Sequence, residues 1–151
     1  MSTDYITARD EMFGIAETVF DDSATSTLIG YKPDVRWPAD PKPSVPDVTK
    51  VWARVSHQVV TDGQAALANA QGQKLYEAKG LLFIQFFSPR NVGGMYDKVL
   101  QLALVMQEAY RDPSPTGEIW FRNAKVVQLP EEATSYPINF STEFSYKTLQ
   151  P

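Results

Sequence analysis

The sequence predicts an α+β domain, in which two helices pack on one face of a mainly antiparallel sheet of about four strands and a proline-rich arm extends from it. Three observations lead to this prediction. Two segments repeat apolar residues at helical spacing, four others carry the apolar patterns of strands, and residues 23–49 are rich in proline. The chain of 151 residues is about the length of one domain, so residues 1–151 are expected to form a single unit.

Residues 4–22 are expected to form an amphipathic helix. Apolar residues recur there at the i, i+3, i+4, i+7 spacing of one helix face, namely Met12, Ile15, Ala16, Val19 and Phe20. Thr3 or Asp4 can cap the first turn. Because Asp21 and Asp22 are unfavourable at the negative end of a helix dipole, the helix is expected to end near Phe20.

The next segment, residues 23–49, is expected to be an extended arm or a flexible connection. Five of the eleven prolines fall between Pro33 and Pro46, and proline neither continues a helix nor fits a central strand. Trp37 lies in the middle of this stretch and needs a surface to pack on. That surface is either its own domain or a neighbouring subunit, which makes Trp37 a candidate interface residue.

Two strands and a loop are predicted next. Residues 51–60 alternate, with Val55 and His57 on one face, as a strand does. Residues 61–72 are small and polar and are expected to be a mobile hairpin loop. Residues 74–89 give the strongest strand pattern. Gly80 there suggests a bulge or bend, and the run LLFIQFF suggests that both faces of the strand are covered.

The second half of the chain predicts a helix followed by two strands. Gly93 and Gly94 open a helix at residues 94–111, which Pro113 and Pro115 end. Residues 118–129 and 136–149 are expected to be strands, and the second should face the core with four aromatic or aliphatic side chains: Ile138, Phe140, Phe144 and Tyr146.

The residue inventory leaves little for catalysis. The chain has no cysteine and a single histidine, His57. Disulfides, cysteine-containing metal sites, thiol nucleophiles and a histidine metal triad are therefore excluded within one chain. His57 is expected to be a hydrogen-bonded structural residue. Residues 91–94 could hold an anion at the start of the helix, but they fit a glycine turn better. We therefore expect no enzyme, no catalytic residue, no metal and no cofactor.

The net charge of −4 is unevenly distributed. Residues 1–22 hold six acids and one base, whereas the other 129 residues hold 12 acids and 13 bases. Nothing in this balance attracts nucleic acid or an anionic membrane. The aromatic residues Tyr76, Trp120 and Phe121 lack an interleaved basic cluster, so they are better explained as core or subunit contacts. No apolar stretch reaches membrane-spanning length and the start lacks a signal-peptide pattern, which suggests a protein made in a cytosol.

The order of segments resembles the tail terminator family of long-tailed bacteriophages and related prophage minor tail proteins. The resemblance covers nearly the whole chain, and its most telling part is the run from Gly80 to Pro89 before a glycine turn and a long helix. The matching segments are YITARDEMFGIAETVF, VRWPADPKPSVP, VWARVSHQVV, EAKGLLFIQFFSPRNVGG and MYDKVLQLALVMQEAY. The resemblance implies a non-enzymatic virion protein of the tail and neck. It would form a six-fold ring that caps the tail tube, stops its polymerisation and meets the head connector.

The resemblance also implies partners, and the sequence offers candidate contact residues for them. The expected partners are other copies of the chain, the tail tube protein and the head–tail connector, whereas DNA would pass through the lumen without specific binding. The candidate subunit or partner contacts are Trp37, Arg54, Gln64, Asn69, Gln71 and Arg90. Asp10, Glu11 and Glu17 are candidate lumen residues because an acidic lining avoids attraction to phosphates. The alternative for these acids is a solvated outer helix face.

Other functions remain open at this stage. Within virion assembly the alternatives are a head-completion or neck adaptor protein and a tail tube subunit. From another class, a small-molecule-binding α+β domain would be indicated by a deep pocket converging on His57 with a carboxylate beside it.

Overall fold

The computed structural model describes residues 4–39, 45–67, 72, 74–112 and 114–150, without the side chains of residues 65–67, 149 and 150. Within these residues the chain forms three helices and five strands. They are α1 (Tyr5–Asp21), α2 (Ser23–Ile29), β1 (Asp34–Arg36), β2 (Trp52–Leu67), β3 (Lys74–Pro89), α3 (Met95–Ala109), β4 (Ile119–Gln128) and β5 (Ser135–Gln150).

All five strands belong to one sheet, in the order β1-β2-β3-β5-β4. Strand β1 is parallel to β2, and the other three pairs are antiparallel. The predicted α+β class with a mainly antiparallel sheet is therefore confirmed. The numbers of elements were approximate, because the sheet has a fifth strand and the fold has a third helix, both within the segment expected to be an arm.

The predicted arm is wrong for residues 23–29 and 34–36. The carboxylate of Asp22 accepts a hydrogen bond from the Ala24 backbone N–H at 2.9 Å and so caps a second helix. Gly30, at φ 96°, ends that helix in the left-handed region that glycine tolerates. Asp22 is unfavourable at the negative end of the α1 dipole, and its role as the cap of α2 offsets that cost. Residues 40–44, the middle of the predicted arm, lie outside the described residues.

The predicted mobile loop is wrong for residues 61–67, which continue strand β2. Their backbones pair with β3 as far as Leu67 opposite Lys74, and β3 in turn pairs with β5 along its whole length. Small side chains do not prevent this, because the pairing uses backbone groups and β3 supplies a partner. Residues 68–71, which include Asn69 and Gln71, lie outside the described residues.

The core lies between the helices and one face of the sheet. Phe20 of α1 packs on Phe86 at a ring-centre distance of 5.9 Å, and Tyr110, just after α3, packs on Phe140 at 5.4 Å. The four side chains of β5 expected to face inward are all buried, as predicted.

The opposite face of the sheet, which we call the open sheet face, has no helix against it in the described part of the chain. In β3 the fully buried positions alternate with half-buried ones such as Leu81 and Phe83. The expectation that both faces of this strand are fully covered is therefore wrong over residues 81–85, because the helices pack on one face only.

Gly80 of β3 lies close to the backbone of β2 and to an aromatic ring of β5. A Cβ atom there would lie 2.1 Å from the Gln58 carbonyl oxygen and 2.6 Å from Cζ of Phe144. The predicted irregularity is present, but the register shift falls in the partner strand, between Val59 and Thr61. Glycine at this position allows the bulged strand and the Phe144 ring to approach β3.

Candidate functional site

A cavity of about 550 Å³ opens between α1 and the residues that follow β1. We call it the His57 pocket. Its lining combines aromatic and charged side chains, namely Arg9, Asp10, Phe13, Glu17, Trp37, Pro38, Ala39 and His57. Sequence reasoning did not anticipate it, because the pocket depends on residues 37–39 returning to α1.

Among the described residues, His57 is held by aromatic neighbours and not by a carboxylate. Its Nε2 atom is 2.8 Å from the Tyr5 hydroxyl, and Phe13 packs edge-on at 5.3 Å. Burial, together with the charge of Arg9, lowers the pKa of His57. Its buried Nδ1 atom has no hydrogen-bond partner within the described residues. The imidazole is therefore neutral at pH 7 and fixed by Tyr5, consistent with the structural role predicted for it.

Trp37 packs on its own domain, one of the two alternatives left by the sequence. Its ring lies 5.5 Å from that of Phe13, and the residue is half-buried. Trp37 also lines the His57 pocket.

Arg54 and Arg90, both candidate contact residues, do not line this pocket. Arg54 is exposed on the open sheet face, where its guanidinium lies 5.6 Å from the Phe87 ring. Phe87 is itself stacked on Trp52 at 4.0 Å. Arg90 binds within its own chain, pairing with Glu131 at 3.4 Å and donating to the Glu132 carbonyl.

The three acids proposed for a lumen lie on two sides of α1. Asp10 and Glu17, seven residues apart, both line the His57 pocket, whereas Glu11 lines a second cavity between α1 and α3. Asp10 pairs with Arg9 at 3.0 Å, and Glu11 accepts from the Thr116 hydroxyl at 2.9 Å. Glu17 is exposed and makes no ion pair within the described residues.

Gln64 is exposed near the end of a three-stranded extension of the sheet. Tyr5, the first residue of α1, lines a cavity with Asp62 and Tyr146, so the strands run on past the beginning of that helix. We call this extension the projecting end. It consists of residues 63–67 of β2, 74–77 of β3 and 147–150 of β5.

The two sides of the domain carry opposite charge. The helix layer, defined as the three helices with their capping residues Asp4 and Asp22, has eight acids and two bases. They are Asp4, Asp10, Glu11, Glu17, Asp21, Asp22, Asp97 and Glu108, against Arg9 and Lys98. The open sheet face has six bases and three acids, as the strand register places them. They are Arg36, Arg54, Lys79, Arg122, Lys125 and Lys147, against Asp34, Glu77 and Glu143.

The aromatic residues singled out in the sequence have different surroundings. Phe121 packs edge-on against Tyr110 at 5.0 Å, towards the core. Trp120, its neighbour on β4, is 61% exposed on the open sheet face. Tyr76 lines the cavity beside Tyr5.

Among the described residues there is no group of three or more side chains able to hold a metal ion. In the same part of the chain, no helix has both the length and the apolar character needed to cross a bilayer. At residues 91–94 the chain makes a turn in which Gly94, at φ 76°, caps α3 without a side-chain hydrogen bond.

Comparison with known proteins gives a fold likeness and no family. No family model and no curated protein matches the chain. A solved structure of a protein whose name states no function aligns with 88% of this chain and 94% of its own, at a TM-score of 0.50 and 14% identity. An acetylcholine-binding protein of Capitella teleta in complex with lobeline aligns at a TM-score of 0.21 and 8% identity, over 97% of this chain and 64% of that one. The first likeness concerns the fold alone, and the second carries no argument.

Proposed function

We propose that this chain is a structural virion protein whose copies form a ring, with six as the expected number, at the end of a phage tail tube. The ring ends polymerisation of the tube and joins the tail to the head connector, and DNA passes through it. The resemblance in segment order supports this proposal. The structural observation that carries it is the projecting end, which offers a rigid surface outside the core.

The strands that form the projecting end are long compared with the helices. A strand of 16 residues, as in β2, β3 and β5, spans about 53 Å at roughly 3.3 Å per residue. Helix α1, with 17 residues, spans only about 26 Å at roughly 1.5 Å per residue. Three paired strands hold this surface in place before any partner binds, so little ordering entropy is lost on contact.

The test is to shorten the hairpin without touching the core. Gly63 and Glu77 are register partners, so residues 64–76 can be replaced by Asn-Gly, which closes a two-residue hairpin turn. Among the residues between 63 and 77 whose burial the structure describes, none belongs to the buried core, so the variant should still fold, as judged by cooperative thermal unfolding. It should fail to cap tail tubes in negative-stain electron microscopy.

A matched control changes an exposed residue elsewhere. Leu104 of α3 is 48% exposed, and Leu104→Gln should fold and cap tubes as the wild type does. If the shortened hairpin caps tubes normally, the projecting end is not the tube contact. If a ring binds isolated connectors but never tubes, the chain is a neck adaptor.

The His57 pocket favours a second candidate, the binding of a small molecule. Its volume falls within the roughly 300–1,000 Å³ typical of ligand pockets, and Asp10 and Glu17 line it together with His57. Titration with pooled small metabolites, followed by tryptophan fluorescence, would test this. A saturable change that is lost in Trp37→Phe supports ligand binding, whereas a flat titration opposes it.

A further inference from the structure

An exposed patch lies on the edge strand of the open sheet face. It consists of Trp120, Arg122, Lys125 and Val127, and we call it the β4 patch. Trp120 is 61% and Val127 42% exposed, and register pairing places all four on the same face. Within the described residues neither Arg122 nor Lys125 has an ion-pair partner. Tryptophan and arginine are the side chains that protein interfaces favour most strongly.

A groove of matching character lies on the other side of the molecule, between α1 and the residues after α3. We call it the α1 groove. It has a volume of about 520 Å³ and a largely apolar floor, with Glu11 at the rim, and its other lining residues are Gly14, Ile15, Thr18, Val19, Ala109 and Pro115. Glu17 lines a cavity that shares Gly14 and Thr18 with it, so acids flank the apolar floor.

Gly14 gives an independent reason to expect something in this groove. A Cβ atom at this position would have no heavy atom within 4 Å, so alanine would fit the isolated chain. Glycine within a helix lowers helix stability compared with alanine. A second molecule packed closely against α1 at this position would account for glycine there, because a Cβ atom would then be in the way.

We infer that the β4 patch of one copy docks into the α1 groove of a second copy. The Trp120 indole lies on the apolar floor, and Arg122 and Lys125 face Glu11 and Glu17. The patch and the groove are different surfaces on opposite layers of the domain, so the contact repeats head to tail and either closes a ring or extends a filament. The inference rests on the proposed function, since it assigns the subunit contact of that ring. It places Glu11 and Glu17 in the contact and not in the lumen.

A charge exchange tests this contact. The first variant is Arg122→Glu with Lys125→Glu, and the second is Glu11→Lys with Glu17→Lys. In each variant alone, like charges meet, so the dissociation constant for self-association should rise at least tenfold, as measured by sedimentation velocity. A one-to-one mixture should regain association, because each altered surface then meets a complementary one. The effect should shrink in high salt.

Two single variants separate charge from packing. Lys98→Glu changes the net charge as much as one of the exchanged residues but lies on α3, outside both surfaces, and it should leave association unchanged. Trp120→Ala should weaken association at least tenfold, as expected for a central aromatic contact. Thermal unfolding of every variant confirms that it is folded.

The absence of cysteine in the natural chain allows a direct test of which surfaces meet. Thr18→Cys lies in the α1 groove and Val127→Cys in the β4 patch. With a short bifunctional thiol reagent, a mixture of the two proteins should give crosslinked dimers, whereas each protein alone should give few. At about 1 mM protein, even a contact with a dissociation constant of about 1 mM is detectable. Crosslinks within each single variant, or none in the mixture, would overturn the inference.

The outcome can be separated from that of the proposed function. Mixed crosslinks without capping of tail tubes would leave the contact standing and reject the tail role. Normal capping by a protein that gives no mixed crosslink, and whose exchanged variants still cap alone, would reject the contact and keep the tail role.

Discussion

Substitution of glycine by alanine should change the free energy of unfolding in opposite directions at Gly80 and at Gly14. At Gly80 in β3 the new Cβ would lie 2.1 Å from the Gln58 carbonyl oxygen and 2.6 Å from the Phe144 ring. At Gly14 in α1 it would lie in open space. Gly80→Ala should therefore destabilise the fold, and Gly14→Ala should stabilise it.

The magnitudes follow from these distances. Overpacking costs about 1–3 kcal/mol, and the upper end applies to Gly80 because the nearest atom belongs to the backbone of β2. Alanine regains about 0.5–1 kcal/mol over glycine in a strand, which leaves a net loss of about 2 kcal/mol. Gly14→Ala should gain about 1 kcal/mol from helix propensity. The two variants should thus differ by about 3 kcal/mol.

Thermal unfolding followed by circular dichroism measures this difference. For a chain of this length, 1 kcal/mol corresponds to roughly 2–4 °C in Tm, so the two midpoints should lie about 6–12 °C apart, with the wild type between them. Urea unfolding at unchanged m-value provides the check. The reasoning is refuted if Gly80→Ala melts at or above the wild type, or if the two variants melt together. Gly14→Ala should also self-associate more weakly than the wild type, because its methyl group fills part of the α1 groove.

Three further changes have defined outcomes. The buried Tyr110 hydroxyl donates to the Met12 carbonyl at 2.5 Å. Tyr110→Phe should therefore lower the free energy of unfolding by about 1 kcal/mol, measured by urea titration. The control Tyr136→Phe should change it little. Asp22→Ala removes the cap of α2 and should cost about 1 kcal/mol, whereas Asp22→Asn keeps a capping oxygen and should cost much less in the same titration. Burial lowers the pKa of His57 below its ordinary value, so the unfolded chain binds a proton more readily than the folded one. The free energy of unfolding should therefore fall as pH drops from about 7 to about 5. A Tm series over that range should be flatter for His57→Gln than for the wild type.

Local sequence patterns correctly predicted the elements whose secondary structure depends least on neighbouring helices and strands. The helical spacing in residues 4–22 gave α1, which spans Tyr5–Asp21, and the apolar run of residues 74–89 matched β3 to the residue. In both cases a single segment contains the whole signal. The alternation of β5 predicted its inward side chains for the same reason.

Two predictions were wrong in segments whose composition is typical of an arm or a loop but which form a helix or pair as strands in the fold. The proline-rich stretch was interpreted as an arm, although the cap at Asp22 and the left-handed Gly30 were local signals for α2. Strand β1 could not be inferred, because three residues become a strand only by pairing with β2. The extension of β2 to Leu67 likewise depends on β3 as its neighbour.

The surfaces were harder to predict than the strands. The acidic helix was visible in the sequence, but the basic open sheet face combines residues from five strands and exists only once their register is known. The His57 pocket depends on the packing of Trp37 against Phe13, which no spacing along the chain indicates. Trp120 was visible as an aromatic residue, whereas its exposure follows from its place on an edge strand.

The central proposal is that this chain ends a tail tube, and the most direct test is to add the purified protein to polymerising tubes of its proposed tail tube partner. Tube lengths and tube ends are then measured by negative-stain electron microscopy. The account predicts a ring at one end of each tube and lengthening that stops when the protein is added. Bare ends and unchanged growth at saturating protein would contradict it.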